Sequence, residues 1–246
     1  MSSPIEKDGI ISVNPIDIKT CCLGADDGVG IYSNLRMMEA GVKGTYLFTR
    51  GEECGGIGAE YIAKHTPNKL EGFLMCVEVD RAGTDEVIIS QSYGDCASVE
   101  FGQQLSDMLG MGHSPSTGGV YTDNAEFGDI IPESVNISAG YECQHTLKET
   151  VNTIYVESLI TKLIAVDWNA LVIVRDAGDY GYLGGTGWWD RPITSSYDYM
   201  PDNYEKLLEY VELHPSRVAN YLEAIGVDVY EMEKEWVEDD LAVGMM

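Results

Sequence analysis

The sequence predicts an α/β fold, a three-layer sandwich with a largely parallel central sheet, and three observations favour it. Up to about Trp168, apolar strand-like segments alternate with amphipathic helix-like segments. The segment EGFLMCVEVD is apolar enough for a strand that is buried on both faces, as strands of parallel sheets are. The chain has 246 residues and 44% of them are apolar, which is enough for a substantial core.

The first half of the domain gives four elements in order. KTCCLGADD begins as an extended segment. GVGIYSNLRMMEAG predicts a helix, with Ile31, Leu35 and Met38 at helical spacing and Gly41 in position for the C-cap. GTYLFTR is predicted as a strand and IGAEYIAKH as a short helix.

The second half continues the alternation. The strand EGFLMCVEVD is followed by the strand DEVIIS, the helix CASVEFGQQLSDMLG and the strand ESVNISAG. LKETVNTIYVESLITKLIAVDW is predicted as one long amphipathic helix. We therefore expect an α/β domain over residues 1–168.

Residues 169–246 are predicted to form a C-terminal extension, because the composition changes after Trp168. DAGDYGYLGGTGWWDRPITSSYDYMPD has neither helical nor strand period and predicts an ordered loop whose tyrosines and tryptophans pack. NYEKLLEYVEL and SRVANYLEAIG then predict two short helices.

Charge and composition exclude several classes of partner. Acidic residues outnumber basic ones 41 to 15, so the formal net charge is −26, and such a surface repels nucleic-acid phosphates and anionic lipids. The N-terminus has no signal-peptide pattern, no apolar run reaches the length of a membrane helix, and the six cysteines show no CxxC spacing. We expect a cytoplasmic protein with reduced thiols that binds neither nucleic acid nor membrane.

Metal-type ligands follow the predicted strands at their carboxyl ends, where α/β folds collect ligands. They are Asp26, the pair Glu52 and Glu53, Asp80 and His145. Carboxylates and imidazole hold zinc, manganese or cobalt rather than a soft metal. Singly, each has a plainer interpretation as a helix cap or a turn residue, but their common position at strand ends favours a metal site.

Four motifs carry a family resemblance. LGADDGVGI, FTRGEECGGIGA, VEVDRAG and VNISAGYECQHTLKETV resemble, in this order, the co-catalytic zinc exopeptidases and deacylases, the clan of peptidase T and the bacterial zinc aminopeptidases. The resemblance implies that Asp26 bridges two metal ions and that Glu53 and His145 bind one of them. It also implies that Asp80 binds the other ion and that Glu52 is the general base.

Two further residues and the reaction follow from the same resemblance. Asp27 and Glu149 are expected to support the ligands without binding the ion. The implied reaction is hydrolysis of an amide bond in short peptides or N-acyl amino acids, with one or two zinc ions, or manganese or cobalt in their place. A bound ion lowers the pKa of water from 15.7 to about 7, and Glu52 would accept the proton and pass it to the leaving amine.

One ligand of the family is missing. The family has a histidine in an HxD motif upstream of the bridging aspartate, and the 25 residues before Asp26 contain no histidine. Among the other histidines, His65, His113 and His214 are interpreted as exposed or capping residues. Four alternatives follow. The chain is expected to be a one-metal enzyme or a truncated two-metal enzyme, or else a subunit of a homo-oligomer or of a complex whose partner chain supplies the missing strand. The fourth alternative is a pseudoenzyme that serves in binding or assembly.

The interval between Asp80 and His145 is short. Relatives with a lid domain insert it there, so the resemblance implies a domain without a lid.

Overall fold

The computed structural model describes residues 4–14, 22–91 and 94–179. Contacts divide the chain into residues 1–190 and 191–246, and every described residue lies in the first part. The aromatic loop residues from 180 onward, the two C-terminal helices, His214 and Cys21 lie outside the described residues, so the predictions for them, and the domain boundary predicted after Trp168, stay predictions.

Four α-helices occur in the described chain: α1 (Ala25–Glu39), α2 (Ile57–His65), α3 (Val99–Leu109) and α4 (Thr153–Ala165). The predicted helix IGAEYIAKH coincides with α2. The helix predicted around α4 is too long at its beginning, because residues 150–152 form a strand before it. None of the described helices has the length and apolar character needed to cross a membrane.

The strands of the described chain are β1 (Ile5–Lys7), β2 (Ile10–Ser12), β3 (Met75–Arg81), β4 (Glu86–Ile88), β5 (Ser90–Gln91), β6 (Gly94–Asp95), β7 (Ser114–Ser116), β8 (Glu133–Ser138), β9 (Tyr141–Glu142) and β10 (Thr150–Asn152). One antiparallel sheet has the order β1-β2-β10-β9, and β5 pairs with β6. The larger core sheet has the order β3-β8-β4-β7.

The core sheet is mixed. β3 is parallel to β8, with Val77 opposite Val135, and β4 is parallel to β7. β4 is antiparallel to β8, with Val87 opposite Ile137. The fold is therefore α/β with both kinds of pairing, and the three-layer arrangement and the predominance of parallel pairing stay predictions.

The main core joins this sheet to three helices. Phe101 of α3, Ile137 of β8 and Leu159 of α4 are all fully buried in one cluster, to which α1 contributes Val29. Helix α2 belongs to a second cluster with the segments around it, which comprises Ala59, Ala63, Leu70, Phe127 and Ile131. The core thus fixes β3 and α1, whose ends carry two of the predicted metal ligands.

The predicted strand GTYLFTR is wrong. Residues 45–49 have no regular secondary structure, and residues 43–49 make no backbone hydrogen bond to another backbone group of the described chain. Aromatic and β-branched residues favour a strand only when a neighbouring strand supplies the ladder, because a strand has no hydrogen bonds within itself. No described strand lies beside this segment.

Helix α1 has the predicted period but buries a different face. Its buried side chains include Val29 and Ser33, whereas Ile31, Leu35 and Met38 are exposed. The helix ends as predicted, with Gly41 in the left-handed region at φ 78° directly after the C-cap.

Candidate metal centre

Asp26, Glu53 and His145 meet at one point of the structure. One ligand atom of each lies within 4.8 Å of the others. His145 Nε2 is 3.1 Å from Asp26 Oδ2 and 3.5 Å from Glu53 Oε2. Asp26 is mostly buried, whereas the side chains of Glu53 and His145 are about half exposed, so a dissolved ion can reach all three. Two carboxylates and an imidazole are a donor set that suits zinc.

The three residues lie where the backbone departs from regular helix or strand geometry. Asp26 lies at the beginning of α1, directly after Gly24 and Ala25, and has non-helical angles. Glu53 lies in a short 3-10 turn, Glu52–Cys54, between two glycines with φ of 76° and 89°. His145 itself has φ 60°, a left-handed conformation that turns the chain sharply after β9.

Glu149 fastens the loop that carries Asp26. Its Oε1 accepts the backbone N–H groups of Ala25 (2.7 Å) and Asp26 (3.2 Å). Its Oε2 accepts those of Leu23 (2.6 Å) and Gly24 (3.1 Å). The carboxylate is almost fully buried, and it stands four residues after His145. One side chain therefore ties the loop of one candidate ligand to the loop of another.

Asp80 lies beside Asp26 but does not join the group of three. Its Oδ1 accepts the hydroxyl of Tyr141 at 3.0 Å and its Oδ2 that of Thr122 at 3.1 Å. Burial, followed by the nearby carboxylates of Asp27 and Glu78, raises the pKa of Asp80 to about 10. A cation between Asp80 and Asp26 would favour the ionised form instead.

Asp27 is partly buried and caps the next turn of α1. Its Oδ1 accepts the backbone N–H of Gly30 at 2.8 Å, and the peptide bond between Asp26 and Asp27 is cis. Burial, with a smaller effect of the carboxylates of Glu78 and Asp26, raises the pKa of Asp27 to about 8, although its hydrogen bond from Gly30 opposes this. A side chain at Gly30 would come within 2.2 Å of the Asp27 carboxylate, so this position requires glycine.

Glu52 faces the same cavity as the candidate ligands. Burial, followed by the charges of Glu53 and Asp123, raises the pKa of Glu52 to about 7. The cavity has a volume of about 370 Å³. Its walls include Asp26, Glu52, Glu53, Asp80, Arg81, Gln144 and His145. It offers room for a small substrate next to the candidate ligands.

Sequence reasoning missed two carboxylates of the site. Glu78 lies two residues before Asp80 on β3, and burial raises its pKa to about 8. Alternate residues of a strand share a face, so this spacing could have identified it. Asp123 is buried, accepts the hydroxyl of Thr49 and raises the pKa of Glu52. Its place beside Glu52 arises from a 3-10 helix, Asp123–Phe127, that is distant in the sequence, so no pattern near Glu52 indicates it.

No protein-family model matches the sequence, and no curated protein matches it. Among solved structures, the aminopeptidase PepT from Bacillus cereus is similar with a TM-score of 0.54 at 16% identity over 66% of this chain and 74% of that one. The TET1 peptidase from Pyrococcus horikoshii gives a TM-score of 0.49 at 17% identity over 63% of this chain and 49% of that one. The aminopeptidase APDkam598 from Desulfurococcus kamchatkensis gives 0.49 at 16% identity over 66% and 50%.

The chain spans about half the length of the latter two proteins. At these identities the likeness concerns the fold alone. The α/β part of this chain therefore has a fold similar to that of the PepT aminopeptidase.

Proposed function

We propose that the chain is a metal-dependent hydrolase of amide bonds, of the aminopeptidase type, that acts on short peptides. The observation that carries the proposal is the convergence of Asp26, Glu53 and His145 within 4.8 Å of one another. These residues lie far apart in the sequence, yet they line one cavity together with a further carboxylate, Glu52. A metal site explains this arrangement better than a chance meeting of the side chains does. The fold similarity to an aminopeptidase agrees with it.

Asp26, Glu53 and His145 would hold a zinc ion, or manganese or cobalt. Such an ion supplies a polarised water and Lewis acidity at neutral pH. Glu52 would accept a proton from water at its carboxylate and donate it to the leaving amine. Asp26 and Asp80 would be the ligands of a second ion, which we expect to be held more weakly because the histidine of the HxD motif is missing.

The roles of Asp27 and Glu149 in this proposal are to position the ligands. Glu149 holds the backbone of the Asp26 loop through four hydrogen bonds, and Asp27 fixes the beginning of α1. Neither needs to touch the substrate.

The experiment compares purified wild-type protein with Glu52→Gln and Glu53→Gln. The wild type should bind about one equivalent of zinc and hydrolyse aminoacyl amides. Glu52→Gln should keep its zinc and lose hydrolysis by about 10²- to 10⁴-fold, because only the proton acceptor is removed. Glu53→Gln should lose zinc as well, because a ligand is removed. Exposed Glu142→Gln serves as the control.

A zinc-loaded wild type that cleaves no amide would contradict the proposal and favour a pseudoenzyme with a role in binding or assembly. Cleavage of N-acyl amino acids with no cleavage of aminoacyl amides would favour a deacylase on the same site. Metal content and turnover are measured separately, so these cases are distinct.

A further inference from the structure

Arg81 brings a positive charge to the cavity beside the candidate metal centre. The described lining of this cavity contains the carboxylates of Asp26, Glu52, Glu53 and Asp80. Arg81 is the one Lys or Arg of the same described lining. The chain has a formal net charge of −26, so few parts of it attract an anion. The cavity thus offers an acidic part and a basic part to one bound molecule.

An irregularity in β3 turns Arg81 toward this cavity. Successive side chains of a regular strand point to opposite faces, yet Asp80 and Arg81 both line the cavity. From Glu78 to Arg81 the chain of β3 advances three residues, whereas the paired strand β8 advances two, from Asn136 to Ser138. An extra residue of this kind is a β-bulge, which redirects a side chain and is frequent next to active sites.

The backbone at the bulge is held by hydrogen bonds to β8 and the residue after it. The side chain of Asn136 accepts the N–H of Asp80 at 2.8 Å and donates to the carbonyl oxygen of Asp80, also at 2.8 Å. The N–H of Ala139 donates to the carbonyl oxygen of Arg81 at 2.6 Å. Arg81 therefore stands on a rigid support, as a group that discriminates between ligands must.

Glu86 holds the guanidinium of Arg81 by one edge. Arg81 Nε donates to Glu86 Oε2 at 2.8 Å, and Glu86 Oε1 accepts the hydroxyl of Ser116 at 2.6 Å. These contacts, that of Ser116 first, lower the pKa of Glu86, although burial opposes them. Arg81 Nη1 and Nη2 have no acceptor among the residues that the structure describes. Since the side chain is 31% exposed, both groups can bind a ligand.

Gln91 is a second polar residue of the cavity with an unused hydrogen-bonding atom. It is 6% exposed, and its Oε1 has no hydrogen-bond partner in the described part of the chain. Buried polar atoms are nearly always paired, so an unpaired one indicates that a bound molecule supplies the partner. An N–H group of a peptide would satisfy this oxygen.

The dimensions of the cavity suit a dipeptide. Its volume is about 370 Å³. An extended chain covers about 3.3–3.6 Å per residue, so the two ends of a dipeptide lie about 7 Å apart. Arg81 directly follows Asp80, which lies beside Asp26. A dipeptide whose peptide bond lies at the candidate metal centre can therefore direct its amine to the acidic part and its carboxylate to Arg81.

We propose that the substrates of the hydrolase are dipeptides with a free C-terminus, whose terminal carboxylate binds Nη1 and Nη2 of Arg81. Two N–H groups of a guanidinium match the two oxygens of a carboxylate, and such charge-assisted bonds are among the strong hydrogen bonds of proteins. Arg81 thereby selects the substrate and takes no part in proton transfer. This inference rests on the proposed function, because the metal centre defines which end of the peptide leaves.

The test compares alanylalanine with alanylalanine amide, which lacks the terminal charge. The zinc-loaded wild type should have a kcat/KM at least about tenfold higher for the free acid. Arg81→Met should reduce this preference to about twofold or less, mainly through a higher KM for the free acid. Arg81→Lys should keep part of the preference, because an ammonium group has the charge without the two parallel donors. A ratio within one variant does not depend on the amount of folded protein.

Arg36→Met is the matched control. Arg36 is 36% exposed, pairs with Glu157 and lies outside the described lining of the cavity, so its loss should leave the preference unchanged. Binding is measured separately by isothermal titration calorimetry of zinc-loaded Glu52→Gln with the same two peptides. The free acid should bind at least about tenfold more tightly than the amide, and adding Arg81→Met should remove the difference.

The outcomes separate this inference from the proposed function. If the wild type hydrolyses neither peptide, the proposed function fails, and calorimetry still decides whether Arg81 binds the carboxylate. Equal hydrolysis of both peptides would overturn the inference and leave the hydrolase in place. A preference for alanylglutamic acid α-amide over alanylglutamine amide, lost in Arg81→Met, with none for free alanylalanine, would also overturn it, because Arg81 would then bind a side-chain carboxylate.

Discussion

At the scale of single residues, Glu149 shows how a buried carboxylate is accommodated without a cation. A carboxylate taken out of water is costly unless hydrogen bonds replace its hydration. Glu149 receives four of them from consecutive backbone N–H groups, from Leu23 to Asp26. The same bonds hold the backbone of a proposed metal ligand.

Glu149→Gln should therefore destabilise the protein by about 2 kcal/mol or more and weaken zinc binding by about 10- to 100-fold. The amide group would present hydrogens to two N–H donors that need an acceptor. Denaturant unfolding and zinc titration measure the two effects, and the exposed Glu142→Gln is the control. Equal zinc affinity in both variants would refute the positioning role.

His113 is a buried histidine whose protonation state follows from its contacts. Its Nε2 lies 2.7 Å from the hydroxyl of Tyr155, and that hydroxyl donates its proton to the carbonyl of Ser138 at 2.9 Å. Nε2 must therefore carry the hydrogen, and Nδ1, which has no partner within the described residues, is left as a bare lone pair. Burial lowers the pKa of His113 below its ordinary 6.5, although Asp85 opposes this.

Because the unfolded chain takes up a proton at His113 more readily than the folded one, stability is fully present above pH 6.5 and falls as the pH decreases below it. His113→Gln keeps a donor for Tyr155 but does not titrate. Between pH 6.5 and 5, the free energy of unfolding of this variant should fall less steeply than that of the wild type. The two slopes should differ by up to about 1.4 kcal/mol per pH unit. Urea unfolding at several pH values measures the slope, and identical slopes would contradict the prediction.

At the scale of elements, the beginning of α3 is joined to a distant segment through Glu133. Ser98 caps the helix, since its Oγ accepts the N–H of Phe101 at 3.1 Å and donates to Glu133 at 2.9 Å. The fully buried Glu133 also accepts the N–H groups of Val174 and Arg175. Ser98 and Glu133 together thus hold both the beginning of α3 and residues 174–175, which follow α4.

Ser98→Ala should destabilise the protein by about 1–2 kcal/mol, because it removes the cap and one hydrogen bond to a buried carboxylate. Amide hydrogen exchange should accelerate in the first turn of α3 and in residues 174–175. Ser158→Ala, an exposed serine of α4, should change neither. Acceleration confined to α3 would show that the two segments are not coupled.

The sequence predicted elements best where the signal is local. Helix α2 and strand β8 lie where their apolar periods place them. GTYLFTR has the composition of a strand, but a strand also needs a neighbour, which composition does not reveal.

The residues of the candidate site also divide into those that a pattern in the sequence indicates and those that it does not. The rule that ligands collect at strand ends grouped Asp26, Glu53 and His145, and the structure brings these three within 4.8 Å of one another even though the segment before Glu53 is not a strand. Their role as metal ligands stays a prediction. The rule missed Asp123, which lies near Glu52 at the beginning of a 3-10 helix rather than at the end of a strand.

At the scale of the whole molecule, charge opposes compaction. The formal net charge is −26, and several carboxylates crowd at the candidate metal centre, where burial and, after it, their mutual repulsion raise the pKa values of Asp80 and Glu52. Repulsion among surface charges destabilises a folded chain and is screened by salt, since the Debye length shortens from about 30 Å at 0.01 M to about 3 Å at 1 M.

The melting temperature should therefore rise as NaCl increases from 0.01 M to about 0.5 M. The double variant Glu71→Lys and Glu100→Lys changes two exposed residues and brings the net charge closer to zero. Its melting temperature should depend less on salt. Differential scanning calorimetry of both proteins provides the comparison, and a melting temperature that does not change with salt in the wild type would contradict the prediction.

The bonds of Glu149 also bear on how an ion would enter. Since Glu149, four residues after His145, already holds the backbone of the Asp26 loop, capturing an ion would cost little additional conformational entropy in that loop. Uptake would then be limited by diffusion and dehydration of the ion rather than by ordering of the chain, and removal by a chelator would leave the backbone around residues 23–26 in place.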